Sequence, residues 1–238
     1  MFELSDKVAL ITGASGGIGM SIVKKMKQCG AKLIISGTRQ NVLNDLASEL
    51  GNDVKTIITD LNNKDDILNL AKKSEESFGH IDILVNNAGI SMRSLFNDLS
   101  LNDFKKIMNV NFYGTVYSTK YALEHILSRK GSIIGISSIA GHKGLPARSA
   151  YSASKFAMAG FLESIRIENL KKDLHVLIAS PGFTASKIRE NAINSDGQTQ
   201  HSSPRDENKM MTAEEVAEKI VIATIKRKNK IVLTFQGK

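Results

Sequence analysis

The chain has a single cysteine, no tryptophan and no apolar run long enough to cross a bilayer. A lone Cys29 excludes an intramolecular disulfide and any zinc site built on cysteines. The five histidines stand far apart, the smallest gap being the 17 residues from His125 to His142, so no metal site is expected. Spanning a membrane takes ~18 or more consecutive apolar residues, and no charged-then-apolar signal segment opens the chain. Zinc-finger spacing, a basic zipper and interleaved aromatics are also missing, although Lys and Arg outnumber Asp and Glu by 32 to 24. The basic residues fall mostly in scattered pairs such as Lys24-Lys25 and Lys171-Lys172, with one denser cluster from Lys226 to Lys230. Such pairs read as solvated helix faces, and an anionic small molecule or acidic partner suits the charge better than nucleic acid. With 238 residues, 42% of them hydrophobic, disorder is excluded and a large core is affordable. The expectation is a soluble, cytoplasmic protein without a membrane span.

Short apolar runs alternate with amphipathic stretches from end to end. Runs at Val8–Ile11, Leu33–Ile35, Thr56–Ile58, Ile81–Val85, Ser132–Ile136, Val176–Ala179 and Ile231–Leu233 are too short for helices and rich in Ile and Val. Helical patterns fill the gaps: Ile18–Lys27, Val42–Leu50, Asp65–Phe78, Leu101–Leu127, Ala153–Leu170 and Ala213–Lys226. Gly30, Gly51 and Gly79 follow the first three as helix stops. This alternation predicts one α/β domain over residues 1–238, a doubly wound parallel sheet of seven strands with helices on both faces. One long stretch, Ala185–Met211, has no periodicity and reads as either a lid or a disordered segment.

In such a sheet the chemistry lies just beyond the carboxyl ends of the strands. After the first strand comes Thr12-Gly13-Ala14-Ser15-Gly16-Gly17-Ile18-Gly19, a glycine-rich turn opening a helix. It can cradle a pyrophosphate at the helix N-terminus, or simply be a turn. Asp60 follows the third strand and can accept from an adenine amino group or cap a helix. Asn86-Asn87-Ala88-Gly89 follows the fourth, where the Asn pair could equally cap backbone groups between strands. Ser137-Ser138 follows the fifth, and a nearby helix carries Tyr151 and Lys155 at i, i+4, on one face. A free phenol titrates near 10, and a neighbouring positive charge favours its ionised form, which suits it to acid–base work on a carbonyl or alcohol.

Taken together, Thr12-Gly13-x-x-x-Gly17-x-Gly19, Asn86-Asn87-Ala88-Gly89, Ser138, Tyr151-Ser152-Ala153-Ser154-Lys155 and Pro181-Gly182 resemble the short-chain dehydrogenase/reductase family. Order and spacing match from Asp6 to about Lys226. The resemblance implies a Rossmann-type NAD(P)(H) oxidoreductase that interconverts a ketone and a secondary alcohol. It assigns catalysis to Asn111, Ser138, Tyr151 and Lys155. Asn111 would hold a water in a proton relay, Ser138 would polarise the carbonyl, and Tyr151 would be the acid/base. Lys155 would contact the nicotinamide ribose and lower the proton affinity of Tyr151. The implied nucleotide site takes Gly13, Ser15, Gly16, Gly17, Ile18 and Gly19, then Thr38 and Arg39, Asp60 and Leu61. It continues through Asn87, Ala88 and Gly89 to Pro181, Gly182 and Thr184, with Tyr151 and Lys155.

At the end of the second strand an NAD-preferring site usually carries an acid, and here Gly37 stands in that place with Arg39 two residues on. That favours NADP(H), with NAD(H) still admitted; alternatively Arg39 faces solvent. Within the family, the N-terminal half looks like 3-oxoacyl-acyl-carrier-protein reductases. From Ile90-Ser91-Met92-Arg93 onward the chain looks more like carbonyl and hydroxysteroid reductases, as though two lineages met near residue 90. That second group often continues past the position of Lys238 with an apolar segment, so a shortened chain is one reading. The substrate would be a small-molecule or acyl-thioester carbonyl. In the carrier reading, Arg129, Lys130, Lys171 and Lys172 would dock an acyl carrier protein. A catalytically idle nucleotide sensor is the remote alternative, opposed by the intact set of four. The Ala185–Met211 lid and Gly141–Ala150 loop would shape the pocket, with His142 and Arg148 as substrate contacts or plain loop residues. The family's long helices imply a homodimer or homotetramer.

Overall fold

Every central strand divides its apolar side chains between two helical layers. In β1 (Val8–Ile11) Ala9 and Ile11 join one buried cluster while Val8 and Leu10 join the other. β2 (Lys32–Gly37) likewise sends Leu33 and Ile35 one way and Ile34 the other. A period of two with apolar residues on both faces is what a covered parallel sheet demands. The remaining strands are β3 (Val54–Ile58), β4 (Ile83–Asn86), β5 (Ser132–Ile136), β6 (His175–Pro181) and β7 (Lys230–Leu233). All pair in parallel, in the order β3-β2-β1-β4-β5-β6-β7. This computed structural model describes residues 3–201 and 210–234.

One layer consists of α1 (Gly17–Gln28), α2 (Gln40–Leu50) and α7 (Ala213–Ile225), which bury Ile22, Met26, Leu43 and Ile220. The other is made by α3 (Lys64–Phe78), α5 (Gly114–Ser128) and α6 (Ser149–Glu168), through Leu70, Ile126, Met158 and Leu162. Thus the seven-strand doubly wound sheet expected from the sequence is the fold observed. Strand and helix ends move by a few residues; β4 starts at Ile83, and just before it the Asp82 carboxylate accepts from the Val8 amide at 2.9 Å.

One element differs in kind. The helix expected over Leu101–Leu127 is broken into α4 (Leu101–Met108) and α5 by a π turn at Asn109–Tyr113. There the Gly114 amide donates to the Asn109 carbonyl, one residue further back than an α-helix allows. Such single-turn bulges are often found at functional sites. The described part of the 185–211 stretch is held by backbone bonds: Ile193 N donates to Ser91 O at 3.0 Å, and Arg93 N to Ile193 O at 2.7 Å. Residues 202–209 of that stretch lie outside the described residues.

The amino ends of the strands carry a buried charge. Asp82, 1% exposed, meets Lys7 (3.3 Å), Arg129 (3.2 Å) and His80 (3.2 Å). Burial opposes its charge, but the Val8 amide, Lys7 and Arg129 outweigh it and hold the carboxyl below its usual range. Nearby His175 is buried between the Ser132 hydroxyl and the Lys228 carbonyl, and burial lowers its proton affinity.

Candidate active site

Strand order reverses between β1 and β4, which opens a crevice beyond their carboxyl ends. The glycine-rich turn enters it from β1. Gly13 sits at φ 64°, and a Cβ there would lie 2.6 Å from Ala88 Cα, so only glycine fits against the loop after β4. A Cβ on Gly19 would run into the Gly13 carbonyl oxygen. Asn87 fastens the turn, its amide donating to the carbonyls of Thr12 and Gly13, each at 3.0 Å. The Thr12 hydroxyl in turn accepts from the amides of Asn87 (3.1 Å) and Ala88 (3.2 Å). Of the two readings of the Asn pair, backbone capping is therefore what Asn87 does here.

Helix α1 begins at this turn with Gly16 as its cap, no side-chain acceptor for its first amides and no acid in its first turn. Uncapped amides at the positive end of a helix dipole, beside glycines that admit close approach, fit a pyrophosphate. The residues present therefore suit a dinucleotide. At its adenosine end, Arg39 folds back on the same turn. Its guanidinium donates to the Ser15 carbonyl oxygen and, at 3.4 Å, to the Ser15 hydroxyl. Arg39 is exposed but does not point away from the crevice. A Cβ on Gly37 would come within 3.1 Å of the same hydroxyl. Thr38 is exposed. Asp60 accepts from the Asn62 amide at 2.9 Å, and the cap of α3 is Asn63, so Asp60 is a turn residue rather than the helix cap. Leu61 is 9% exposed and packs where a Gly114 side chain would be, which makes it a core contact as much as a ligand one. Ile18 leans on the core beneath α1.

The other end of the crevice gathers the four residues of the expected catalytic set. Ser138 follows β5, and its hydroxyl accepts from the Ala140 amide at 3.2 Å. Tyr151 lies in the first turn of α6, which starts at Ser149, four residues before the expected Ala153. Lys155, one turn on, donates to the Ile136 carbonyl at 2.8 Å, and its Nζ lies 5.8 Å from the centre of the Tyr151 ring. A Cβ on Gly89 would lie 3.4 Å from that Nζ and 3.3 Å from Asn111 Oδ1, so the loop after β4 borders both. Asn111, fully buried at the π turn, accepts from the Ile90 amide (2.8 Å) and donates to the Ile90 carbonyl (3.0 Å) and Ser154 Oγ (2.9 Å). Its side chain is thus a clamp between the β4 loop and α6.

Protonation in this end follows burial. Desolvation takes Lys155 from its usual value down to about 8. Burial also pushes the Tyr151 phenol above its ordinary range, against the opposing pull of Ser138 and of the Arg148 charge. The net direction for Tyr151 is thus set by burial.

Beyond β6, the Gly182 amide donates to the Leu233 carbonyl at 2.6 Å and the Thr184 hydroxyl to the Gly182 carbonyl at 3.3 Å, so Pro181–Thr184 forms a tight wall. His142 is within 2.8 Å of the Ser180 hydroxyl, and Arg148 donates to the Ser91 hydroxyl at 2.9 Å. Both are engaged rather than free loop residues. The sequence reading missed Ser91 and Ser154; no local spacing separates either from an ordinary polar residue. Among the described residues no helix is long and apolar enough to cross a membrane, and no three His, Cys, Asp or Glu side chains could hold a metal.

The family model described as short chain dehydrogenase matches residues 7–197. The chain belongs to this family. It is accordingly an oxidoreductase of a family that uses a nicotinamide cofactor. Dehydrogenase/reductase SDR family member 7B of Mus musculus is 34% identical over 239 residues, which cover 97% of this chain and 74% of that protein. Nodulation protein G of Rhizobium sp. (strain N33) is 38% identical over 191 residues, covering 80% of this chain and 78% of that one. Among solved structures, a short chain dehydrogenase/reductase from Burkholderia phymatum in complex with NAD superposes with a TM-score of 0.85 at 25% identity, covering 98% of this chain and 90% of that one. The alcohol dehydrogenase of the archaeon Thermococcus sibiricus, complexed with 5-hydroxy-NADP, gives 0.83 at 23% identity over 98% and 97% of the two chains, a likeness of fold.

Proposed function

We propose that this short chain dehydrogenase is an NADP(H)-dependent enzyme that interconverts ketones and secondary alcohols. The observation that carries the reading is the meeting of Tyr151 and Lys155 on α6, the ammonium 5.8 Å from the ring centre and bonded to Ile136 at the end of β5, two residues before Ser138. A bound nicotinamide supplies or accepts the hydride. Ser138 and Tyr151 both offer a hydroxyl to the substrate oxygen. In reduction Tyr151 gives its proton to that oxygen as negative charge builds there, and in oxidation it takes the alcohol proton back. A phenol held above its usual range is protonated at neutral pH, so the site is poised for reduction; oxidation should gain from alkaline conditions. Lys155 keeps a proton below pH of about 8.

Arg39 against the glycine turn, with no acid at Gly37, supports NADP(H). We expect kcat/KM for NADPH to exceed that for NADH by about tenfold, equivalent to ~1.4 kcal/mol. Gly37→Asp should reverse the preference and Arg39→Ala erode it; NADH used equally well by the unaltered enzyme would overturn the assignment. The substrate is read as a small-molecule or acyl-thioester carbonyl. Of the four cations proposed to dock an acyl carrier protein, Arg129 already pairs with Asp82, which weakens that alternative. Exposed Tyr113 and Phe156 at the π turn and on α6 support a homo-oligomer joined through these helices. A cytoplasmic location goes with a chain holding one cysteine. Oxidation of NADPH by the purified protein against a panel of ketones, diketones and 3-oxoacyl thioesters tests the reading; no turnover of any would sink it.

A further inference from the structure

The basic residues that read as scattered pairs in the sequence are gathered by the fold. Strands β5, β6 and β7 are neighbours, and the turns leading into them carry Arg129-Lys130, Lys171-Lys172 and Lys226-Arg227-Lys228, with Lys230 opening β7. One acid, Asp173, lies in these turns, and exposed Glu168 closes α6 beside them. Contacts hold the three turns together. The Arg227 guanidinium donates to the Lys130 carbonyl at 3.1 Å, the Asp173 carbonyl at 2.6 Å and the Asp173 carboxylate at 3.0 Å. His175 lies between the Ser132 hydroxyl and the Lys228 carbonyl, each at 2.9 Å. Lys130, Asp173 and Arg227 stand at φ 49°, 56° and 48°, a left-handed conformation that a residue with a side chain keeps only where its surroundings fix it.

Arg129 and Arg227 are occupied by Asp82 and Asp173. The six lysines, Lys130, Lys171, Lys172, Lys226, Lys228 and Lys230, are exposed, and none forms an ion pair among the described residues. Neighbouring strands lie ~4.8 Å apart, so the three turns span about 10 Å, close to one Debye length at physiological salt. Their charges therefore act together on an opposing surface. Beside them Leu170 is 57% exposed at the start of a 3₁₀ turn (Leu170–Lys172), although the Asp173 amide is bonded to its carbonyl at 3.3 Å. We propose that this end of the sheet is a docking surface for an anionic bilayer, with the lysines on the headgroups and Leu170 dipping between them. A protein partner suits it less, because lysine is depleted at the cores of protein interfaces. Nucleic acid suits it less as well: the three turns hold no aromatic side chain for stacking, and both arginines are already bonded within the fold. The catalytic crevice lies beyond the carboxyl ends of β1 and β4, at the opposite end of a parallel sheet, so docking does not cover it.

Flotation of the purified full chain with lipid vesicles tests this without any turnover. One set of vesicles is phosphatidylcholine alone, and the other is phosphatidylcholine with a third of phosphatidylglycerol. At low salt the anionic set should be bound at least about tenfold more tightly, and high salt should abolish the difference. Lys171→Glu combined with Lys172→Glu should weaken binding at least about twentyfold, since each lysine at an anionic surface contributes about fivefold. Leu170→Ser should weaken it about fivefold while keeping the salt dependence. A control makes the same charge change elsewhere, at exposed Lys105 and Lys106 on α4, by Lys105→Glu with Lys106→Glu. That pair should alter binding by about twofold at most. Reduction of a small ketone should be unchanged in the Lys171, Lys172 and Leu170 variants, which lie away from the crevice. Equal binding to neutral and anionic vesicles would overturn the proposal. So would an equal loss in the α4 control, since net charge rather than this surface would then be at work. Duplex DNA that displaces the protein from the anionic vesicles at matched charge would also overturn it and assign the surface to nucleic acid.

Discussion

Replacing Asn111 by alanine removes three hydrogen bonds from a position with no access to water. The Ile90 amide and carbonyl lose their partner, and the Ser154 hydroxyl keeps only its bond to the Tyr151 carbonyl at 2.7 Å. A buried polar group left unpaired costs about 1–3 kcal/mol. Ile90 is half-buried, so water can recover part of that, and each of its two groups is taken near the low end. Adding the loss at Ser154, Asn111→Ala should lower unfolding stability by about 2–4 kcal/mol, while Ser154→Ala alone should cost about 1. For a chain of this size about 1 kcal/mol corresponds to ~2–4 °C, so a fall in Tm of roughly 5–15 °C is expected. Urea unfolding followed by far-ultraviolet circular dichroism measures it, with the slope checked for constancy. The π turn should also relax towards a plain α-helix once the amide no longer pins it to Ile90. If Asn111→Ala unfolds within about 0.5 kcal/mol of the wild type, the clamp is not structural and the buried-bond reasoning fails.

Gly13→Ala should be worse for the nucleotide than for the fold. A left-handed non-glycine residue costs about 1–2 kcal/mol, and the new Cβ must push the Ala88 backbone, so dinucleotide affinity measured by NADPH fluorescence should fall at least tenfold. Undiminished binding would show that the turn does not cradle the pyrophosphate. Stability should also depend on pH through two buried groups. His175 binds its proton less readily folded than unfolded, so stability should decline as pH falls below ~6.5, and His175→Gln should flatten that decline. Asp82 is held below its usual range, so its contribution is complete above ~4 and is lost as pH falls further; Asp82→Asn should remove that acid limb. A wild-type unfolding curve indifferent to pH between 4 and 7 would contradict the His175 assignment.

How far the sequence foretold all this depends on the distance over which each feature is determined. The strands at Leu33–Ile35 and Ser132–Ile136 are local facts, since short Ile-rich runs between helical patterns leave no other place to go. The glycine turn and the Tyr151–Lys155 pair were legible for the same reason, each lying within a few residues. The break at Asn109–Tyr113 was not. Its apolar spacing runs on as a helix, and the extra residue is stabilised by Ile90 and Ser154, 21 and 43 positions away. The Arg148–Ser91 bond spans 57 positions and carries no motif. Most instructive is Lys155. Spacing showed that it could sit near the phenol, but only the fold shows its burial, its bond to the Ile136 carbonyl and the lowered proton affinity that follows.

The central claim, that Tyr151 performs acid–base chemistry in an oxidoreductase site, is tested most directly by Tyr151→Phe. With NADPH and the carbonyl substrate that the wild type reduces best, kcat should fall by about 10²–10⁴-fold, because one hydroxyl carries the proton transfer. Dinucleotide affinity and unfolding stability should stay near those of the wild type, since the ring and its packing are kept. A variant that binds NADPH normally and retains more than about a tenth of the wild-type kcat would contradict the account.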